Sequence, residues 1–153
     1  MEKKLFDAID YSILSSGKRL RPFLVLKSSE LFSVEKERAL RVAAAIEMVH
    51  AYSIVHDDLP SMDDDDLRRG KPTTHKKFNE AIAILTGDSL LTLSFEILSD
   101  TLTHSDAKIR CELISELSKA AGALGMVGGQ MMDLEAENKN LNIGVITRIQ
   151  RLK

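Results

Sequence analysis

Residues 35–56 read EKERALRVAAAIEMVHAYSIVH, and the chain runs on at once into Asp57-Asp58-Leu59-Pro60. Ala39, Leu40, Ala43, Ala44, Ile46, Val49, Ile54 and Val55 put apolar side chains on most of the circumference of a helix. A helix that is apolar nearly all round belongs at the centre of a structure rather than on its surface. It has to end at the aspartates, because Pro60 lacks the N–H that a further turn needs.

Helical spacing continues on both sides of this segment. Upstream, Leu5, Phe6, Ile9 and Ile13 recur at helix intervals up to Ser15-Ser16-Gly17. A basic cluster follows, Lys18, Arg19 and Arg21, and Pro22 suits the first turn of a second apolar run over 23–32. Downstream, residues 60–78 read as a polar loop. From Asn79 another apolar helix carries Ala81, Ile82, Leu85, Leu90, Leu91, Phe95 and Leu98. A further helix spans about 106–137, weakened between Gly122 and Gly129, and a last one opens with Ile143, Val145, Ile146 and Ile149.

With 5% aromatic residues, three prolines and no Trp, the chain lacks the β-branched runs and turn signals of a sandwich or barrel. The fold class is all-α. No repeat, linker or boundary divides residues 1–153, which read as one domain. A net charge of −2 gives no global reason to expect nucleic acid or an anionic membrane as partner. The start, MEKKLFDAID, has no signal-peptide core, and no stretch approaches the roughly 20 apolar residues that span a bilayer. A cytoplasmic location is expected. The single Cys111 excludes an internal disulfide and reads as a small buried hydrophobe.

The chemistry gathers in Asp57-Asp58-Leu59-Pro60-Ser61-Met62-Asp63-Asp64-Asp65-Asp66-Leu67-Arg68-Arg69-Gly70, six aspartates within ten positions followed by two arginines. Carboxylates this dense repel one another unless cations neutralise them. Two readings are open: a solvated acidic loop, or a cluster of hard oxygen donors for magnesium. The second gains from position. The run terminates a core helix, whose negative end favours a cation, and Arg68 and Arg69 offer forked donors for phosphate. His50, seven residues before Asp57, shares its helix face; it is either a core histidine or a ligand residue.

This pattern, with four residues between the aspartate pair and the next aspartate, resembles the first aspartate-rich motif of the trans-prenyl diphosphate synthase (polyprenyl synthetase) family in its bacterial, farnesyl diphosphate-forming shape. Gly17-Lys18-Arg19-Leu20-Arg21-Pro22, Glu47, His50, Lys71-Pro72-Thr73-Thr74-His75, Gly87-Asp88 and Gly128-Gly129-Gln130-Met131-Met132-Asp133-Leu134 resemble further family segments in order and spacing. The resemblance implies an isoprenoid-synthase-type helical bundle, here its N-terminal half, and a partial polyprenyl synthetase domain over 1–153. It implies Mg2+-dependent joining of isopentenyl diphosphate to an allylic partner, dimethylallyl or geranyl diphosphate. Asp57 and Asp63 are then magnesium ligands supported by Asp58, and Arg68 and Lys153 belong to the allylic diphosphate. Lys18, Arg21, His50 and Arg69 take isopentenyl diphosphate. Gln130 and Asp133 line the cavity or join helices. Tyr52, about 7.5 Å back along the helix from Asp57, matches the farnesyl-type pocket floor, or is plain core. The rival readings are a geranylgeranyl-forming enzyme and a non-catalytic remnant. The family second motif is absent from these residues, so the chain alone is expected to be inactive, and the full-length enzyme to be a homodimer.

Overall fold

The computed structural model describes residues 2–14, 17–137 and 139–153. The expected stop of the first helix at Ser15-Ser16 therefore lies outside the described residues. Two compact units are present, Met1–Arg110 and Cys111–Lys153.

In the first unit, α1 covers Glu2–Ile13, α2 Leu20–Leu31, α3 Lys36–Asp57 and α5 Glu80–Ser99, with the one-turn α4 at Thr74–Lys77. The unit is organised by α3 against α5. Where they meet, Gly87 of α5 lies against the His56 ring of α3, and small side chains are buried on both helices, Ala39, Ala43, Ala45 and Ala51 on α3 and Ala83 and Ser94 on α5. Small residues let two helix backbones come close. Leu90 and Leu98 fill the seam at 0% and 2% exposure, and Val55, Leu59 and Ala83 close it at the end nearest the aspartates. Leu85, which sequence spacing assigned to the apolar face, is 53% exposed.

Asn79 caps α5 as expected, its Oδ1 accepting the Ile82 N–H at 2.8 Å. At the other end Arg41 of α3 donates to Asp100 (2.6 Å) and Thr103 (2.9 Å), tying the loop after α5 back to α3. By length and apolar composition alone, α5 could cross a membrane. This corrects the expectation that no stretch approaches that length. Its apolar character is used against α3, as in the core helix of a globular unit, and it carries Asp88 and Glu96 along its length.

Residues 60–78 are more ordered than a polar loop. Two-residue strands, β1 Leu67–Arg68 and β2 Lys71–Pro72, pair antiparallel with Leu67 opposite Pro72 and Arg68 opposite Lys71. The turn is Arg69-Gly70, with φ of 54° and 77°. Both central residues are left-handed, as the tight turns matching strand twist require.

In the second unit the predicted 106–137 helix divides into α6, Ala107–Ala121, and α7, Met126–Ala136. The break falls at 122–125, inside the glycine-rich segment. A Cβ on Gly125 would lie within 2.7 Å of the Lys119 carbonyl oxygen, so the turn there tolerates no side chain. α8 covers Ile143–Leu152 and packs on α7, where Gly129 leaves room for the backbone of Lys153. Cys111 is exposed rather than buried, because it sits between Arg110 and Glu112 on a charged part of α6.

A methyl group at Gly87 would overlap the His56 ring, whose Nε2 lies 3.0 Å from the Ile84 carbonyl. Gly87→Ala should therefore destabilise by about 1–3 kcal/mol, the usual cost of overpacking. Adding His56→Ala in the same chain should recover most of it. The urea midpoints of the two single variants and the double variant test this, and additive losses would contradict the contact.

Candidate functional site

The acid run begins where α3 ends. Asp57 is the last helical residue and Asp58 its C-cap. The chain then folds back: Met62 and Asp64 donate their N–H groups to the Leu59 carbonyl at 2.9 and 3.2 Å, and Asp63 donates to the Asp57 carbonyl at 2.9 Å. Asp64 adopts φ 51°, which lets the loop reverse. One backbone hydrogen bond thus brings Asp57 and Asp63, six residues apart in sequence, side by side at a helix C-terminus. Two such carboxylates are the number that magnesium ordinarily takes from protein, leaving the rest of its shell to water and phosphate oxygens.

Asp58 plays a different part. Its side chain is 3% exposed, and its Oδ1 accepts from Nε (2.8 Å) and Nη2 (2.5 Å) of Arg68. Arg68 also reaches Asp65 at 2.7 Å. Burial pushes the Asp58 carboxyl above the usual carboxylate range, and Arg68 opposes the rise without cancelling it. Burial works against the guanidinium too, yet Asp58, Asp65 and Asp63 hold it above its ordinary value. Arg68 is therefore a braced cation between the acid loop and the hairpin.

The hairpin is fastened from three sides. Thr73 donates its N–H to the Asp66 carbonyl (3.0 Å) and its hydroxyl to the Asp65 carbonyl (2.8 Å). Lys76 pairs with Asp66 at 2.7 Å. From α1, the Tyr11 hydroxyl donates to the Pro72 carbonyl at 2.7 Å, Ser12 meets Thr74 at 3.1 Å, and Lys77 stands 3.8 Å over the Tyr11 ring. Sequence reasoning passed over Tyr11 and Ser12, and it named Thr73 only within a family-like segment, without this role. The signal within reach was the Arg69-Gly70 dipeptide between two short apolar–basic pairs.

Among the described residues, three side chains bring one donor atom each within 4.8 Å of the others: Asp64, Asp66 and His75. Asp66 is already paired with Lys76, and Nδ1 of His75 lies 3.2 Å from the Thr73 hydroxyl. Through these contacts the trio braces the loop.

A second, cationic group lies further along α3. His50 is half-buried, and its imidazole is held below its ordinary pKa by burial first and then by Arg21, with weaker pressure from Arg69 and Arg19; Glu47 acts in the opposite sense. Arg21, Arg69 and His50 thus share one neighbourhood. Gly17 belongs to it, since a Cβ there would strike the Arg69 guanidinium. Lys18, on the same strap, is exposed. Tyr52 is 8% exposed, its ring edge-on to His56 at 5.8 Å. Burial raises its hydroxyl pKa, and Asp57 raises it further, which puts the phenol beside the first aspartate.

The remaining sequence-based residues belong to the second unit. Lys153 forms an ion pair with Asp133. Both amide atoms of Gln130 are buried and meet no hydrogen-bond partner among the described residues.

An all-helical protein whose central helix ends in adjacent carboxylates, with a cluster of cations two turns earlier, has the architecture of the isoprenoid synthases. Residues 2–153 match the family described as Polyprenyl synthetase. The chain is 51% identical over 148 residues to a farnesyl diphosphate synthase of Escherichia coli, covering 96% of this chain and 50% of that protein. It is 48% identical to a chloroplastic geranylgeranyl pyrophosphate synthase of Arabidopsis thaliana, covering 91% and 40%. The crystal structure of an FPP/GFPP synthase from Zymomonas mobilis superposes with a TM-score of 0.96 at 52% identity, covering 99% of this chain and 55% of that one. The chain belongs to the polyprenyl synthetase family, and it spans about half the length of the curated relatives it matches.

The Asp58–Arg68 pair has a defined pH signature. In Arg68→Met the buried carboxylate loses its brace, and its pKa, already raised, rises further. A carboxyl raised in the folded state takes up its proton before the unfolded chain does, so its destabilisation holds above the folded pKa and fades as pH falls through it. Arg68→Met should be clearly less stable than the parent at pH 7, and the gap should shrink towards pH 4. Urea midpoints measured across that range decide it; a gap that widens in acid would contradict the pairing.

Proposed function

We propose that this chain supplies the first acidic motif and the isopentenyl diphosphate site of an enzyme that joins isopentenyl diphosphate to dimethylallyl or geranyl diphosphate, with farnesyl diphosphate as the product. The observation that carries the reading is a pair of carboxylates at the end of α3 and a separate group of cations around His50, two turns earlier on that helix. Asp57 and Asp63 suit a diphosphate that arrives with metal. Arg21, His50 and Arg69, with Lys18 on the same strap, suit one held by cations alone. A coupling of two diphosphates needs this distinction, because one must leave and the other must stay.

Magnesium held by Asp57 and Asp63 would stabilise the negative charge that grows on the departing diphosphate. Arg68, braced by Asp58 and Asp65, offers its remaining N–H donors to the same group. The allylic carbon–oxygen bond breaks with its electron pair leaving on the diphosphate. The alkene of isopentenyl diphosphate then attacks the allylic cation, and a proton is lost to the released diphosphate. No residue of the chain acts as a covalent nucleophile. Family resemblance assigns Lys153 to the allylic diphosphate, and Gln130 to the cavity wall or a contact between helices.

For product length, Tyr52 beside Asp57 and one turn before His56 is well placed to floor the pocket below a growing chain. Relatives named farnesyl diphosphate synthase, such as those of Geobacillus stearothermophilus at 49% and Bacillus subtilis at 46% identity, support the fifteen-carbon reading. A homodimer in the cytoplasm is the assembly and location that go with it.

Two measurements test the assignment in the whole enzyme. Asp57→Asn and Asp63→Asn should each reduce turnover about a hundredfold or more, whereas Asp66→Asn, which loses only the Lys76 pair, should cost less than about tenfold. Equal losses at all three would remove the distinction drawn within the run. Tyr52→Ala should shift the products to twenty carbons and longer while leaving the enzyme active; an unchanged product spectrum would make Tyr52 a packing residue only.

A further inference from the structure

Arg19 is set apart from its basic neighbours. It precedes α2 with φ 48° and ψ 35°, a left-handed conformation that a non-glycine residue seldom adopts unless its surroundings hold it there. Its guanidinium reaches two other elements. One nitrogen donates to the Glu47 carboxylate of α3, and the other donates to the Ile13 carbonyl at the last residue of α1. The Glu47 side chain is 14% exposed and the Arg19 side chain 38%, so the pair is partly withdrawn from water and less screened than a surface pair. Glu47 lies one turn before His50 on the same helix. A single guanidinium therefore joins the end of α1, the start of α2 and the middle of α3. On its other side the strap is limited by Arg69, which Gly17 passes too closely to admit a side chain.

Electrostatics agree with this geometry. Around His50 the cations Arg21, Arg69 and Arg19 all oppose protonation of the ring, and Glu47 is the one group acting the other way. Glu47 pairs with Arg19 and so offsets one of these cations directly.

We propose that Arg19 and Glu47 are a positioning pair: together they hold the strap formed by residues 17–21 against α3, so that Arg21 stands beside His50, without either of them touching the anion bound there. The inference rests on the reading of Arg21, His50 and Arg69 as the isopentenyl diphosphate site. It separates the four basic and histidine groups that a sequence motif lumps together. Arg21 and His50 meet the ligand, and Arg19 shapes the place where they do so.

The test measures two affinities on the same protein: isopentenyl diphosphate without metal, and geranyl diphosphate with magnesium, each by titration calorimetry. Arg19→Ala and Glu47→Gln should each weaken isopentenyl diphosphate about tenfold, the size of one coupled contact. The double variant should be no weaker than the worse single, because the two residues act as one unit. Geranyl diphosphate binding should stay within about twofold in all three, which a general loss of folding would not allow. Arg19→Lys, which keeps the charge and one donor, should restore part of the affinity. Additive losses in the double variant, an equal loss for both ligands, or no loss at all would overturn the positioning role. Arg21→Ala serves as the separate control. If it leaves isopentenyl diphosphate binding intact, the site reading itself fails, whatever the pair does.

Discussion

The close approach of α3 and α5 is the constraint on which the rest of the first unit depends. The His56 ring lies against Gly87, and the buried alanine, glycine and serine of the two helices leave little side-chain volume to adjust. This rigidity has a direct effect on the site. Residues at the end of α3 inherit their positions from the seam, and Val55, Leu59 and Ala83 seal it where the aspartates begin. Asp57 thus stands on a fixed helix end, and the loop that carries Asp63 is folded back onto that end by its hydrogen bonds to Asp57 and Leu59. A group held in this way has little conformational entropy left to lose on meeting a partner.

Around this fixed end, charge is arranged in tiers. The innermost acid, Asp58, is buried and serves Arg68. The outer acids Asp65 and Asp66 engage Arg68 and Lys76 and so secure the hairpin. Asp57 and Asp63 are joined instead through their backbones, by the Asp63 N–H on the Asp57 carbonyl. Six aspartates in ten positions would repel one another strongly if they all shared one surface. The structure relieves that repulsion by giving several of them cations of their own. The same economy holds at the basic strap, where Glu47 takes up Arg19 and opposes the three arginines that bear on His50.

Much of this was legible in the chain. The helices at 36–57 and 80–99 follow from apolar spacing, from Pro60 and from the Asn79 cap, all local features. The acid run was readable because its composition is so improbable for a helix end. The hairpin was not, since strands of two residues show no alternation and Arg69-Gly70 is a weak turn signal beside Asn-Gly or Asp-Gly. The glycines at 122–129 were seen to weaken a helix; that they interrupt it depends on how closely the backbone turns on itself at Gly125. Cys111 was misplaced because residue type outweighed its charged neighbours Arg110 and Glu112. The internal partners, Arg68 with Asp58 and Arg19 with Glu47, depend on backbone turns at individual residues. No spacing rule reveals those.

The residues other than glycine with positive φ are Arg19, Ser33, Asp64 and Arg69, among the described residues. Three of these four sit in the charged machinery, at places where glycine or asparagine would relax the backbone by about 1 kcal/mol. A chain selected for stability alone would drift towards those smaller residues. The strain therefore falls where charged groups are brought together, at the turn of the acid loop, at the hairpin and at the basic strap. An engineer seeking a hardier version would find the easiest gains at residues that also set this pattern of charge.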